Sequence, residues 1–209
     1  MKGFIKVIAF DCDGVMFDTE EANKAYYNDI LAHFRRPPMT SEQFDYTQMH
    51  TADQAITFLF EDSESILAAH EFRKKSGYHP YIKYMKMDPD LVPLLETYQG
   101  RYGIAVATNR SDTMGKVLVE HELTQYFDLV VTALDVERPK PFPDILIRVL
   151  HHFNITPREA IYIGDSTLDE SAARSAGIPF VACRNPNLGG DFHIQRLAEI
   201  DDILNQLHG

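Results

Sequence analysis

The sequence predicts an α/β fold, a doubly wound parallel sheet interrupted by a small inserted α-helical domain. Short, almost wholly apolar runs recur along the chain, as expected of strands covered by helices on both faces. Helix-length patterns lie between most of them. One interval breaks the alternation. About ninety residues separate Asp11 from the next strand-like run, far more than a βα crossover needs.

The first strand is read in "FIKVIAF", residues 4–10, and ends at Asp11. The long interval that follows reads as helices. Asp18 with Glu21 has the spacing of an N-terminal cap. Behind it, Ala22, Tyr26 and Ile30 form one apolar stripe and Tyr27, Leu31 and Phe34 another, until "RRPP" stops the helix. Thr40 with Gln43 and Thr51 with Gln54 are capping-box pairs, in which side chain and backbone satisfy each other's orphan groups. "SESILAAHEFRKKSG" supplies a further helix closed by Gly77, and its Arg73, Lys74 and Lys75 read as a solvated end. The expected domains are therefore 1–16 with 88–209 (α/β) and 17–87 (helical).

Beyond the insertion, "DPDLVPLLETYQG" offers Asp88 or Asp90 as N-cap and Gly100 as stop. Strands are expected at 102–108, 127–133, 160–165 and 178–183. "PDILIRVLHHF" and "DESAARSAG" read as helices between them, the second ending at Gly177.

The chain has 209 residues, 44% hydrophobic and 24% charged, enough for a substantial core. Its formal net charge of −11 argues against nucleic acid, which is gripped mainly through Lys and Arg. A small phosphorylated metabolite needs only one local positive site and stays open as a partner. Cys12 and Cys183 form no Cys-x-x-Cys pair, and Cys12 reads as packing. The histidines lack a His-Glu-x-x-His zinc pattern. "MKGFIKVIAF" runs into Asp11 without a small-residue cleavage site, and no apolar run approaches membrane-helix length. A cytoplasmic protein without membrane partners is expected. Composition says nothing of oligomeric state.

In a doubly wound sheet, ligands collect beyond the carboxyl ends of the strands. Four loops deliver polar groups to that edge: Asp11-Cys12-Asp13-Gly14, Thr108-Asn109-Arg110, Lys140 within "ERPKPFPD", and Gly164-Asp165 through Asp169. Each has an ordinary explanation alone. Thr108 could end a strand, Lys140 could be a surface lysine, and Asp169 could complement a helix N-terminus. A calcium loop at Asp11 fails because Val15 and Ala22 stand where oxygen ligands are needed. Their joint appearance at consecutive strand ends is what points to chemistry.

With "FDCDGV", "ATN", "RPKPFPD" and "GDSTLD" in this order, the chain resembles the haloacid-dehalogenase-like hydrolases over nearly its whole length. Within that superfamily it looks like a capped phosphatase of the phosphoglycolate phosphatase-like group. The resemblance implies that Asp11 is a nucleophile forming an aspartyl-phosphate, and that Asp13 is the general acid and base. It implies Mg²⁺ held by Asp11, the Asp13 backbone carbonyl and Asp165, with Asp169 holding the metal or its water. Lys140 would offset charge at the reacting centre, and Thr108 with the Asn109 N–H would bind phosphoryl oxygens. Gly14 permits the tight turn, and Arg110 is assigned no role.

The implied function is Mg²⁺-dependent hydrolysis of a small-metabolite phosphomonoester. The alternative is a phosphosugar mutase of the same family, of the β-phosphoglucomutase type. More remote is a receiver-like signalling phosphoacceptor, which is shorter and lacks the long interval. Asp13 argues against true dehalogenases and phosphonatases, which resemble this chain but lack an acid there.

Overall fold

Every residue of strand β1, Val7–Phe10, is buried, as its unbroken apolar sequence requires of a central parallel strand. The computed structural model describes residues 4–208. Further strands are β2 (Phe17–Asp18), β3 (Lys86–Met87), β4 (Gly103–Ala107), β5 (Leu129–Val131), β6 (Ala160–Gly164), β7 (Phe180–Cys183) and β8 (Phe192–Ile194). Strands β2 and β3 form a separate two-stranded sheet, and the others form one sheet in the order β5-β4-β1-β6-β7-β8. Its pairings are parallel throughout. Val7 sits opposite Gly103 on one side and Ala160 on the other, so β1 lies where the strand order reverses. In open sheets of this kind, ligands bind beside such a reversal, here at the carboxyl ends of β4, β1 and β6.

The chain divides into two compact units. Asp18–Lys86 forms one of them, built from α1 (Glu20–His33), α2 (Ser41–Met49), α3 (Ala52–Leu59) and α4 (Ser63–Ser76). Both capping boxes form, with Thr40 accepting from Gln43 and Thr51 from Gln54. Gly77 ends α4 with φ of 68°, a conformation that favours glycine. Two local expectations are corrected. Thr19, not Asp18, occupies the N-cap position of α1, and Asp18 Oδ1 instead accepts from Glu20 N at 3.0 Å. Arg73 is not solvated; it is buried and donates to Asp53 Oδ1 at 2.7 Å.

Residues up to Phe17 and from Met87 onward form the sheet unit. Its helices are α5 (Leu91–Tyr98), α6 (Met114–Glu120), α7 (Asp144–Phe153), α8 (Thr167–Ala176) and α9 (Ile200–His208). On one face, Ala9, Ala105 and Tyr162 pack with Ile145 and Val149 of α7 and Ala172 and Ala173 of α8. The small alanines let helices approach the sheet closely. Alternation sends Ile8, Phe10, Ile104, Val106, Ile161 and Ile163 to the opposite face, where they are fully buried. Strand β8 and helices α6 and α9 were not expected from the sequence. No described helix is long and apolar enough to cross a membrane.

Candidate active site

The end of β1 is tied to its neighbour by Asp11 N, which donates to Ile163 O of β6 at 2.9 Å. The chain then turns back at once. Met16 N and Phe17 N both bond Cys12 O, and Gly14 N bonds Phe17 O at 2.8 Å. Gly14 has φ of +74°, and a Cβ there would fall 1.9 Å from Asp165 Oδ2. Only glycine meets both demands, and this lets the first and fourth loops touch. Arg184 holds the same turn by donating to Gly14 O at 2.9 Å, and Asn185 Nδ2 donates to Asp165 O at 2.9 Å.

Lys140 lies between Pro139 and Pro141, and its backbone is gripped by one side chain. Lys140 N donates to Asn109 Oδ1 at 2.9 Å, while Asn109 Nδ2 donates to Lys140 O at 3.0 Å. The loops after β4 and β5 are thus locked together, and Asn109's side chain acts as a strut. The buried Nζ of Lys140 lies 2.8 Å from Asp11 Oδ1, 2.6 Å from Asp169 Oδ1 and 3.0 Å from the Tyr162 hydroxyl. Burial works against its charge, but Asp11 and Asp169 outweigh that and raise its pKa.

Asp169, the third residue of α8, is wholly buried, and both of its oxygens are engaged. Oδ1 meets Lys140 and the Tyr162 hydroxyl at 2.6 Å each, and Oδ2 accepts from Ser166 Oγ at 2.5 Å and Ser166 N at 3.1 Å. Burial would raise its pKa, but Lys140, Ser166 and Tyr162 together hold it below the usual carboxylate value. Asp11 differs. Burial pushes it up to about 7, with Lys140 opposing and Asp169 and Asp13 adding to the rise. Burial, then Asp169 and Asp11, also push Asp165 well up.

One carboxylate oxygen from each of Asp11, Asp165 and Asp169 lies within 4.8 Å of the others; because donors already fill Asp169, a cation would draw first on Asp11 and Asp165. Oxygen-only donors at this spacing suit a hard divalent cation such as Mg²⁺. Asp11 Oδ1 is buried and receives no well-directed hydrogen bond despite its ion pair with Lys140, so it has capacity for such a ligand. A cation is also what would relieve the raised pKa values of Asp11 and Asp165.

The remaining candidates sit around this cluster. Thr108 is buried at the end of β4, beside β1, and its Oγ1 accepts from Arg110 N at 3.1 Å. Asp13 is held by Arg110, whose Nε and Nη2 donate to its two oxygens at 2.8 and 2.7 Å. Two participants escaped the sequence reading. Arg110 had no assigned partner, and Tyr162 was counted only as strand. A hydroxyl in the middle of an otherwise apolar buried strand was the available signal, since such a group needs a partner.

A sequence model of haloacid dehalogenase-like hydrolases matches residues 8–183. Fructose-1-phosphate phosphatase YqaB of Escherichia coli is 26% identical over 187 residues, 85% of this chain and 95% of that protein. Phosphoglycolate phosphatase of Chromobacterium violaceum is 26% identical over 219 residues, covering 96% of each. The crystal structure of a subfamily IA, variant 1 hydrolase from Geobacter sulfurreducens superposes with a TM-score of 0.79 at 38% identity, covering 97% of each chain. With a parallel sheet whose first strand ends in Asp11 and whose loops converge on it, this chain belongs to the haloacid dehalogenase-like hydrolases.

Proposed function

We propose that the protein is a Mg²⁺-dependent phosphatase that hydrolyses a small-metabolite phosphomonoester through an aspartyl-phosphate on Asp11. The observation that carries this reading is Asp11 itself. It is buried at the sheet's switch point, 2.8 Å from Lys140 and grouped with Asp165 and Asp169. The names of the phosphatase relatives support the reaction class. The net charge of −11 speaks against nucleic acid, and we place the protein in the cytoplasm.

In the first step an Asp11 oxygen forms a bond to phosphorus as the bond to the leaving oxygen breaks. The departing electron pair takes a proton from the Asp13 carboxyl. In the second step water attacks phosphorus, its proton passes to Asp13, and the Asp11–phosphorus bond breaks to return the carboxylate and release phosphate. Thr108 and the Asn109 N–H bind phosphoryl oxygens, over which transition-state charge is spread. Lys140 neutralises the same region, and Asp169, saturated by donors, anchors Lys140. Asp11, the Asp13 backbone carbonyl and Asp165 would hold the ion, with Asp169 behind them. When bound, Mg²⁺ offsets the repulsion between a carboxylate nucleophile and an anionic phosphate. By its resemblance to the family's capped members, the inserted helical unit is the part expected to favour small substrates.

A phosphate-release screen over sugar phosphates, phosphoglycolate and pyrophosphate, with Mg²⁺ and with chelator, tests this reading. Release that needs Mg²⁺ supports it. Turnover that moves phosphate between hydroxyls, needs a bisphosphate activator and releases little phosphate would establish the mutase alternative. The receiver-like alternative finds no support in the family match.

A further inference from the structure

We propose that Arg110 is the positioning residue for Asp13, a fixed template that sets where the carboxyl stands when it serves the leaving group. The inference rests on the reading of Asp13 as the acid for that group.

Three observations carry it. The guanidinium meets Asp13 edge-on with two parallel bonds, Nε to Oδ2 at 2.8 Å and Nη2 to Oδ1 at 2.7 Å. A two-point fork fixes both the position and the plane of a carboxylate, which a single ammonium contact does not. Arg110 is also fixed itself. Its Nη1 donates to Thr113 Oγ1 at 3.3 Å, its backbone N donates to Thr108 Oγ1 at 3.1 Å, and its carbonyl accepts from Ala133 N at 3.0 Å. Finally, the pair is sheltered, with the Arg110 and Asp13 side chains 8% and 16% exposed. This is not a surface ion pair that water would readily replace.

The fork does not disable Asp13. Two carboxylate oxygens carry about four lone-pair directions, and the guanidinium takes one on each oxygen. The others remain for a proton and a leaving group. Asp13 needs such help because it sits on a turn past the end of β1, not in a strand. Arg110 follows Thr108, so one segment positions both the phosphoryl-binding hydroxyl and the acid.

The test compares a good and a poor leaving group in kcat/KM, which reports steps through departure of that group. The probes are p-nitrophenyl phosphate and phenyl phosphate. Departing nitrophenolate hardly needs a proton, whereas phenolate does. In Arg110→Ala, kcat/KM for phenyl phosphate should fall roughly tenfold further than for p-nitrophenyl phosphate, since small misplacements of a catalytic group lose one to two orders of magnitude. Arg110→Lys keeps the charge without the fork and should show a smaller split in the same direction. Should the alanine variant fail to fold by circular dichroism, the lysine variant alone decides. Equal losses on the two probes, or none on phenyl phosphate, overturn the proposal. Asp13→Asn separates the two readings. If it too lacks the split, the role of Asp13 fails and Arg110 with it; if it shows the split and the Arg110 variants do not, only the Arg110 proposal fails.

Discussion

Around Lys140 the sheet unit buries charge upon charge. Asp11, Asp169 and Lys140 are each almost fully excluded from water, and Asp165 stands beside them. The helical unit is built otherwise. Its buried polar links are largely neutral, as where Tyr78 donates to Asn23 Oδ1 at 2.6 Å and Asn23 donates to Gln48 Oε1 at 2.5 Å. Where charge does turn inward, Arg73 meets Asp53, whose side chain is 68% exposed. Burying several carboxylates with one lysine weakens a fold unless a ligand compensates. On the proposed reading, the first region gives up stability for chemistry, while the second secures a folded helical unit by ordinary means.

Short of removing Asp11 itself, the largest expected effect tests how tightly the chemical region is set. Gly14→Ala forces an L-residue into φ near +74° and drives a Cβ into Asp165. Phosphatase activity should fall about a hundredfold, as displacement of a reacting group by about an ångström does. Near-native turnover would show that the contact between the first and fourth loops is dispensable.

A second effect is pH-dependent. Asp11 rises from an ordinary value of 3.8 to about 7 in the folded chain, with burial as the main cause. Between those values the folded state binds more protons than the unfolded one, so stability falls as pH rises through this window. Asp165 shifts in the same direction. The chelated protein should therefore melt at a lower temperature at pH 8 than at pH 5, and added Mg²⁺ should raise Tm more at pH 8. A melting temperature that is flat or rises between the two pH values would refute the claim of strained buried carboxylates.

The smallest effect belongs to the helical unit. Tyr78→Phe leaves the buried Asn23 without its phenolic donor and should reduce stability by about 1–2 kcal/mol in urea melts. Turnover of p-nitrophenyl phosphate should change far less than in Gly14→Ala. A loss of activity as large as that of the glycine variant would erase the distinction between the two regions.

Most of this arrangement is legible in the sequence because its signals are local. Unbroken apolar runs marked β1, β4, β5, β6 and β7, and threonine–glutamine pairs marked the starts of α2 and α3. Strand β8 was missed because three residues, "FHI", carry too short a pattern to separate from loop. Asp18 misled because its carboxylate bonds Glu20 N without being the cap. At the site, the four loops stood out by residue type and order. What links them did not, since Arg110 meets Asp13 across 97 positions and Tyr162 meets the Ala107 carbonyl across 55. Such partners are set by the sheet order, which no local pattern encodes. Arg73 shows the same limit, because its inward turn depends on Asp53 on a neighbouring helix.

The central claim is that a phosphoryl group rests covalently on Asp11 during turnover. Rapid acid quench after mixing the enzyme with ³²P-labelled substrate, followed by peptide mapping, examines this directly. A hydroxylamine-labile label is expected on the peptide containing Asp11 and should be absent from Asp11→Asn, which should also release no phosphate. Label on another residue, or an Asp11→Asn protein that turns over at the native rate, would contradict it.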